Sequence, residues 1–145
     1  MIEIKLEFDK VKKLNIDEIW IKKICKKIFL DNKNNEGYIT FIISTDAKLN
    51  KLKKDFFGED VFTDTISFNL EEDGDPIEGE VYISLDRIYE NSIKYGVDNL
   101  IEIKRIIIHS CLHLLGYDDK SIIERDIMTD LEEKYLSIDF NILST

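Results

Sequence analysis

Cysteine, proline and histidine are all scarce in this chain of 145 residues, and each shortage excludes something. Two cysteines, Cys25 and Cys111, are too few for a disulfide framework and suit a compartment that keeps thiols reduced. A single proline and no Ser/Gly-rich stretch leave neither a linker nor a second domain, so residues 1–145 read as one domain. Internal repeats and low-complexity runs are missing too. No stretch approaches the roughly eighteen consecutive apolar residues of a membrane span. The opening Met1-Ile2-Glu3-Ile4-Lys5-Leu6-Glu7-Phe8 alternates and carries acids, unlike a signal peptide. The expectation is a cytoplasmic protein with no membrane partner.

What is present is a core. Apolar residues make up 43% of the chain, with eight Phe and six Tyr, which excludes disorder. The net charge of −10 is unevenly spread: residues 1–54 hold 13 basic and 8 acidic side chains, residues 55–145 hold 7 and 22. Overall acidity argues against nonspecific nucleic-acid binding. Lys22, Lys23, Lys26, Lys27, Lys48, Lys51, Lys53 and Lys54 nevertheless supply a basic surface that could face a phosphate backbone; a solvated lysine-rich helix face explains them equally well.

Ile2, Ile4, Leu6 and Phe8 alternate with polar residues, so residues 1–8 read as a half-buried strand. Asp17 caps a helix to about Leu30 with Trp20, Ile24 and Ile28 inward. Tyr38 to Ser44 reads as a second strand, and Asp46 caps a short lysine-rich helix to about Lys54. Thr65 to Leu70 and Glu80 to Ser84 are further strands around an acidic turn with Gly74 and Pro76. Asp86 opens a helix that Gly96 ends. Asp98 caps the next, which runs to Gly116, and Ser121 to about Leu136 forms the last. Strands and helices mix without strict alternation. The predicted fold is α+β, with a small four-stranded mixed sheet and about five helices.

The two histidines, His109 and His113, are four residues apart. On a helix that puts both imidazoles on one face, where they can grip one metal ion. Gly116 allows a sharp turn, and Asp119 can swing back as a third ligand. Three protein ligands leave a zinc ion an open position, the arrangement of a catalytic site, with one ion per chain. The pattern His109-x-x-x-His113-x-x-Gly116-x-x-Asp119 has metzincin-like spacing, with Asp in the last place. Zinc proteases of that kind carry Glu directly after the first His as general base; here Ser110 stands there, which argues against a peptidase. Two partly buried histidines on an amphipathic helix are the bland alternative. Cys111, two residues from each His on the other side of the helix, reads as core.

His109-Ser-Cys-Leu-His113-Leu-Leu-Gly116-Tyr117-Asp-Asp119 resembles the HGxLHLxGYDH signature of the YbeY family of bacterial endoribonucleases. Thr63-Asp64-Thr65-Ile66-Ser67-Phe68 is similar to that family's TDVLSF segment, and Gly79-Glu80-Val81-Tyr82-Ile83-Ser84 to its GDIxIS strand, in the same order and spacing. The resemblance implies zinc held by His109, His113 and Asp119, a metzincin-like zinc helix and a groove for RNA beside the metal. It implies single-strand-specific cleavage in rRNA maturation and ribosome quality control, with an rRNA precursor and the small ribosomal subunit or its associated factors as partners. By family position Asp64 and Glu80 are candidates for general base or support, against the plainer readings of strand-end cap and solvated strand residue. Ser67 and Phe68 are expected to line the groove, and Tyr117 to bond near the metal or pack over the turn.

Three departures stand out. Asp119 replaces a histidine and Ser110 a glycine, and Phe57 occupies the place of an arginine usual in the family. A cation for phosphate charge must then come from elsewhere, with Arg105, one turn before His109, as catalytic candidate and Arg87 behind it. The rival readings are a non-catalytic zinc-containing ribosome-maturation factor and, less well supported, a zinc peptidase.

Overall fold

Alternating apolar side chains build the sheet, and 3.6-residue periodicity builds the helices that cover it. The structure, a computed structural model, describes residues 1–140. Its elements in chain order are β1 (Ile2–Phe8), α1 (Glu18–Asp31), β2 (Gly37–Ser44), α2 (Asp46–Phe57), β3 (Thr65–Asn69), β4 (Ile77–Ser84), α3 (Leu85–Tyr95), α4 (Asn99–Leu114) and α5 (Ile122–Leu136). The predicted α+β fold with a four-stranded mixed sheet and five helices is the observed one. Sheet order is β1-β2-β4-β3, with β1, β2 and β4 parallel and β3 antiparallel at the edge. Among the described residues, no helix is long and apolar enough to cross a membrane.

One face of the sheet forms the main core. Ile39, Phe41 and Ile43 of β2 lie in register with Gly79, Val81 and Ile83 of β4. They are buried with Trp20, Ile24 and Ile28 of α1 and Ile103, Ile107 and Cys111 of α4. Gly79 is what lets α4 lie so close: a Cβ there would come within 2.8 Å of Leu114 Cδ1. Cys111 and Cys25 are both fully buried free thiols, their sulfurs 3.6 Å apart.

The helix starts differ from expectation at two places, by one residue and by two. Thr45, not Asp46, caps α2, its Oγ1 accepting from the Lys48 amide at 3.2 Å. Ser84, not Asp86, caps α3. Both aspartates are engaged elsewhere: Asp86 accepts the Asp46 amide at 2.9 Å, and the Asp46 carboxylate is taken up by Arg87 and Ser84. Arg87 binds both oxygens of that carboxylate, at 3.1 and 2.9 Å, and the Ser84 hydroxyl donates to it at 2.6 Å. Strand β4 also begins at Ile77, three residues before the expected Glu80, because Gly79 is tolerated where it makes room for α4. Helix α2 runs on to Phe57 before Gly58 ends it in the left-handed region.

Candidate metal centre and groove

Helix α4 presents His109 and His113 on one face near its C-terminal end. Their Nε2 atoms lie 2.9 Å apart and the rings meet edge to face, 4.5 Å between centroids. Gly116, at φ 101, turns the chain in a conformation that side-chain-bearing residues rarely adopt, while the Tyr117 amide returns to the Leu112 carbonyl at 3.0 Å. The turn brings Asp119 Oδ2 to 3.5 Å from both His109 Nε2 and His113 Nε2. Three donor atoms thus converge on one point, and among the described residues they form the group suited to a metal ion. A tetrahedral zinc ion with bonds of about 2.1 Å separates its ligand atoms by about 3.4 Å, close to the spacing seen, so the donor set fits.

The far nitrogen of His109 is also committed. Glu132, a buried carboxylate of α5, accepts from His109 Nδ1 at 2.7 Å. That bond places the proton on Nδ1 and turns the Nε2 lone pair toward Asp119 and His113. Burial acts to lower the His109 pKa, but the hydrogen bond and charge of Glu132, with the charges of Asp119 and Asp64, outweigh it and the net direction is upward. Nothing in the sequence singled out Glu132 from the other acids of α5. Its only signal is that it falls on the face of α5 that, with Met128 and Tyr135, turns inward.

A groove of about 510 Å³ opens over the cluster, lined by His109, His113, Asp119, Thr63 and Asp64 ahead of the edge strand, Thr65 to Ser67 and Asn69 of β3, and Lys53 and Phe57 of α2. Asp64 lines the same groove as the cluster. Its side chain is largely enclosed. Burial pushes its pKa up, with Asp119 adding to the rise and His109 and two backbone amides opposing it. Ser67 lines the groove, but Phe68 does not: strand alternation turns it to the opposite face, against Phe56, Phe57 and Tyr82.

Glu80 is not brought to the cluster. It is one residue out of phase with Gly79 and Val81, so it faces away from α4, and its carboxylate accepts the Tyr82 hydroxyl. Tyr82 is pushed up to about 12 by its own desolvation first and by Glu80 second. Arg105 lies outside the groove as well. Its guanidinium is 2.7 Å from Glu133 Oε1 and 3.5 Å from Glu132 Oε1, in a separate cleft between α4 and α5. It touches Glu132, which in turn bonds His109, and it does not line the groove where the sequence expectation put it. Arg87 is tied to Asp46 and Glu90. Of the eight lysines proposed as a basic surface, only Lys53 lines the groove. Ser110 is buried and faces the sheet, donating to the Ile106 carbonyl at 2.8 Å and meeting Thr65 Oγ1 at 3.2 Å. Tyr117 is tied to Asn32 at the end of α1, at 3.0 Å, and packs over the turn.

The family described as Endoribonuclease YbeY matches residues 2–138. The Endoribonuclease YbeY of Chlorobaculum tepidum is 37% identical over 124 residues, covering 86% of this chain and 90% of that protein. That of Flavobacterium psychrophilum is 35% identical over 119 residues, covering 82% and 84%. Among solved structures, TM1509 from Thermotoga maritima shares the fold with a TM-score of 0.60 at 24% identity, over 94% of this chain and 87% of that one.

Proposed function

The chain belongs to the YbeY endoribonuclease family, and we propose that it is a zinc-dependent endoribonuclease that cuts unpaired segments of rRNA precursors in the cytoplasm, during maturation and quality control of the small ribosomal subunit. The observation that carries the metal dependence is the convergence of His109 Nε2, His113 Nε2 and Asp119 Oδ2 in the floor of an open groove. These three residues would hold one zinc ion. When bound, the ion supplies Lewis acidity toward a phosphoryl oxygen and toward water.

The chain's own residues do the rest. Glu132 holds His109 in the tautomer that offers Nε2 to the metal, and Arg105 holds Glu132. Asp64, which lines the groove with its pKa raised by burial, would accept a proton from the attacking hydroxyl, whether water or the 2′-OH of the RNA. Lys53 brings a positive charge to the groove wall, where the phosphate backbone would pass. The peptidase reading loses support because Ser110 is buried and faces the sheet, so no carboxylate follows the first histidine into the groove.

A second reading is a zinc-containing maturation factor that binds RNA without cutting it. It is favoured by Phe57 in the arginine's place and by the engagement of Arg87 and Arg105 in ion pairs. Assay of zinc-loaded protein on structured rRNA fragments and on a broad peptide library, with His113→Ala as control, separates the readings. RNA cleavage that vanishes in His113→Ala is the expected result. Tight RNA binding without cleavage would favour the second reading, and metal-dependent peptide cleavage alone would refute both.

A further inference from the structure

The end of α2 and the loop after it leave Phe56, Phe57, Val61 and Phe62 in water, each at least 44% exposed. Grouped exposed apolar side chains on a protein surface mark a place that something covers. These rings are braced. Phe57 stacks on Phe68 at 6.0 Å and 26°, Phe56 meets Phe68 edge-on at 5.5 Å, and Phe68 rests edge-on against Tyr82 at 6.1 Å. A ring already held against a sheet loses little conformational freedom when it takes a ligand.

Two further observations narrow the ligand. Phe57 and Lys53 form one wall of the groove whose floor carries His109, His113 and Asp119. Lys53 also holds its ammonium 4.6 Å from the centre of the Phe57 ring. The competing anion is Glu59, 3.9 Å from Lys53 Nζ; the contact is long and Glu59 is exposed, so it is readily exchanged for a phosphate. An apolar peptide side chain would cover the ring but strand the ammonium against an apolar surface. A nucleotide uses both features, its base on an aromatic face and its phosphate on the cation.

We propose that Phe57 and Lys53 form a nucleotide subsite beside the metal cluster: Lys53 swings from over the Phe57 ring to a phosphate, and the ring face it uncovers, the one turned from Phe68, receives an unpaired base. Resting on the RNA-cleaving function proposed above, this adds a reason for selectivity toward unpaired RNA. A base stacked and paired inside a duplex has no free face to offer. In this subsite Phe57 does by stacking what a charged side chain would do by attraction, and the cation is displaced by one helical turn, to Lys53.

The test is binding of a short fluorescein-labelled single-stranded RNA to zinc-free protein, followed by anisotropy, so that catalysis is not required. Phe57→Ala should weaken binding on the order of 5- to 100-fold, and Phe57→Trp should restore it, with indole fluorescence quenched by the stacked base. Lys53→Met should weaken binding and reduce its salt slope by about one. Substituting a single abasic nucleotide along the RNA should abolish the difference between wild type and Phe57→Ala at one position only. Circular dichroism of each variant checks folding. If wild type binds the RNA and Phe57→Ala binds it equally well, the subsite falls and the proposed function stands; if wild type binds no RNA, both fall. A wild-type dimer in sedimentation that Phe57→Ala dissociates would assign the rings to a second copy and overturn the proposal.

Discussion

Glu132 of α5 and His109 of α4, 23 positions apart in sequence, share a 2.7 Å hydrogen bond that fixes which imidazole nitrogen faces His113 and Asp119. Arg105 braces the same carboxylate from its other side at 3.5 Å. Replacing Glu132 by Gln or Ala should lower zinc affinity about 10- to 100-fold, as loss of such supporting carboxylates does elsewhere. Arg105→Met should have a smaller effect in the same direction. Competition against a chromophoric chelator measures both, and equal affinity for Glu132→Ala and wild type would show that the bond does not matter to the metal.

Asp119 supplies the third donor atom, 3.5 Å from each histidine nitrogen. Asp119→Ala should therefore weaken zinc binding several-fold or more, while Asp119→His should preserve it. Its neighbour Asp118 is engaged otherwise, one oxygen accepting the Asp119 amide at 2.8 Å and the other 3.7 Å from Lys120. Asp118→Ala should leave the stoichiometry at one ion per chain, readable by elemental analysis.

Gly116 sits at φ 101, where any side chain strains the backbone. Gly116→Ala should cost about 1–3 kcal/mol of stability and should also loosen zinc binding, because the same turn delivers Asp119. Thermal unfolding with and without zinc reads both effects. A normal melting temperature would mean that the turn relaxes to accept the methyl.

Asp64 gives a pH-dependent outcome. Its folded-state pKa lies above the usual carboxylate value, chiefly through burial. The stability it contributes is present below its unfolded pKa and is lost as pH rises through the folded one. At neutral pH the ionised carboxylate therefore opposes folding. Asp64→Asn should raise the melting temperature of zinc-free protein at pH 7 by about 2–4 °C, with the gain fading toward pH 3. RNA cleavage by the same variant should fall by about 100-fold or more if Asp64 is the base. A stabilised and fully active variant would remove it from the chemistry.

Local spacing made much of this protein legible. His109 and His113 had to share a helix face because four residues are about one turn, and Gly116 had to end that helix because only glycine takes its φ without strain. The alternation in Ile2–Phe8 and the caps Asp17 and Asp98 likewise follow from residues within a few positions of one another. His109, His113 and Asp119, the group that could hold a metal ion, and Asp64 beside them in the groove each lie in a short segment with its own pattern.

Tertiary structure decided what depends on distant residues meeting. Only the packing of α5 on α4 made Glu132 a partner of His109 and drew Arg105 away from the groove to two acids of α5. Only the register of β4 turned Glu80 to the far face, one position out of phase with Gly79. Only the meeting of α2 with the edge strand set Phe57 and Lys53 on the wall of the metal groove. Periodicity reports which face of its own element a residue occupies, but the partner across that face is set by long-range contacts that no local pattern encodes.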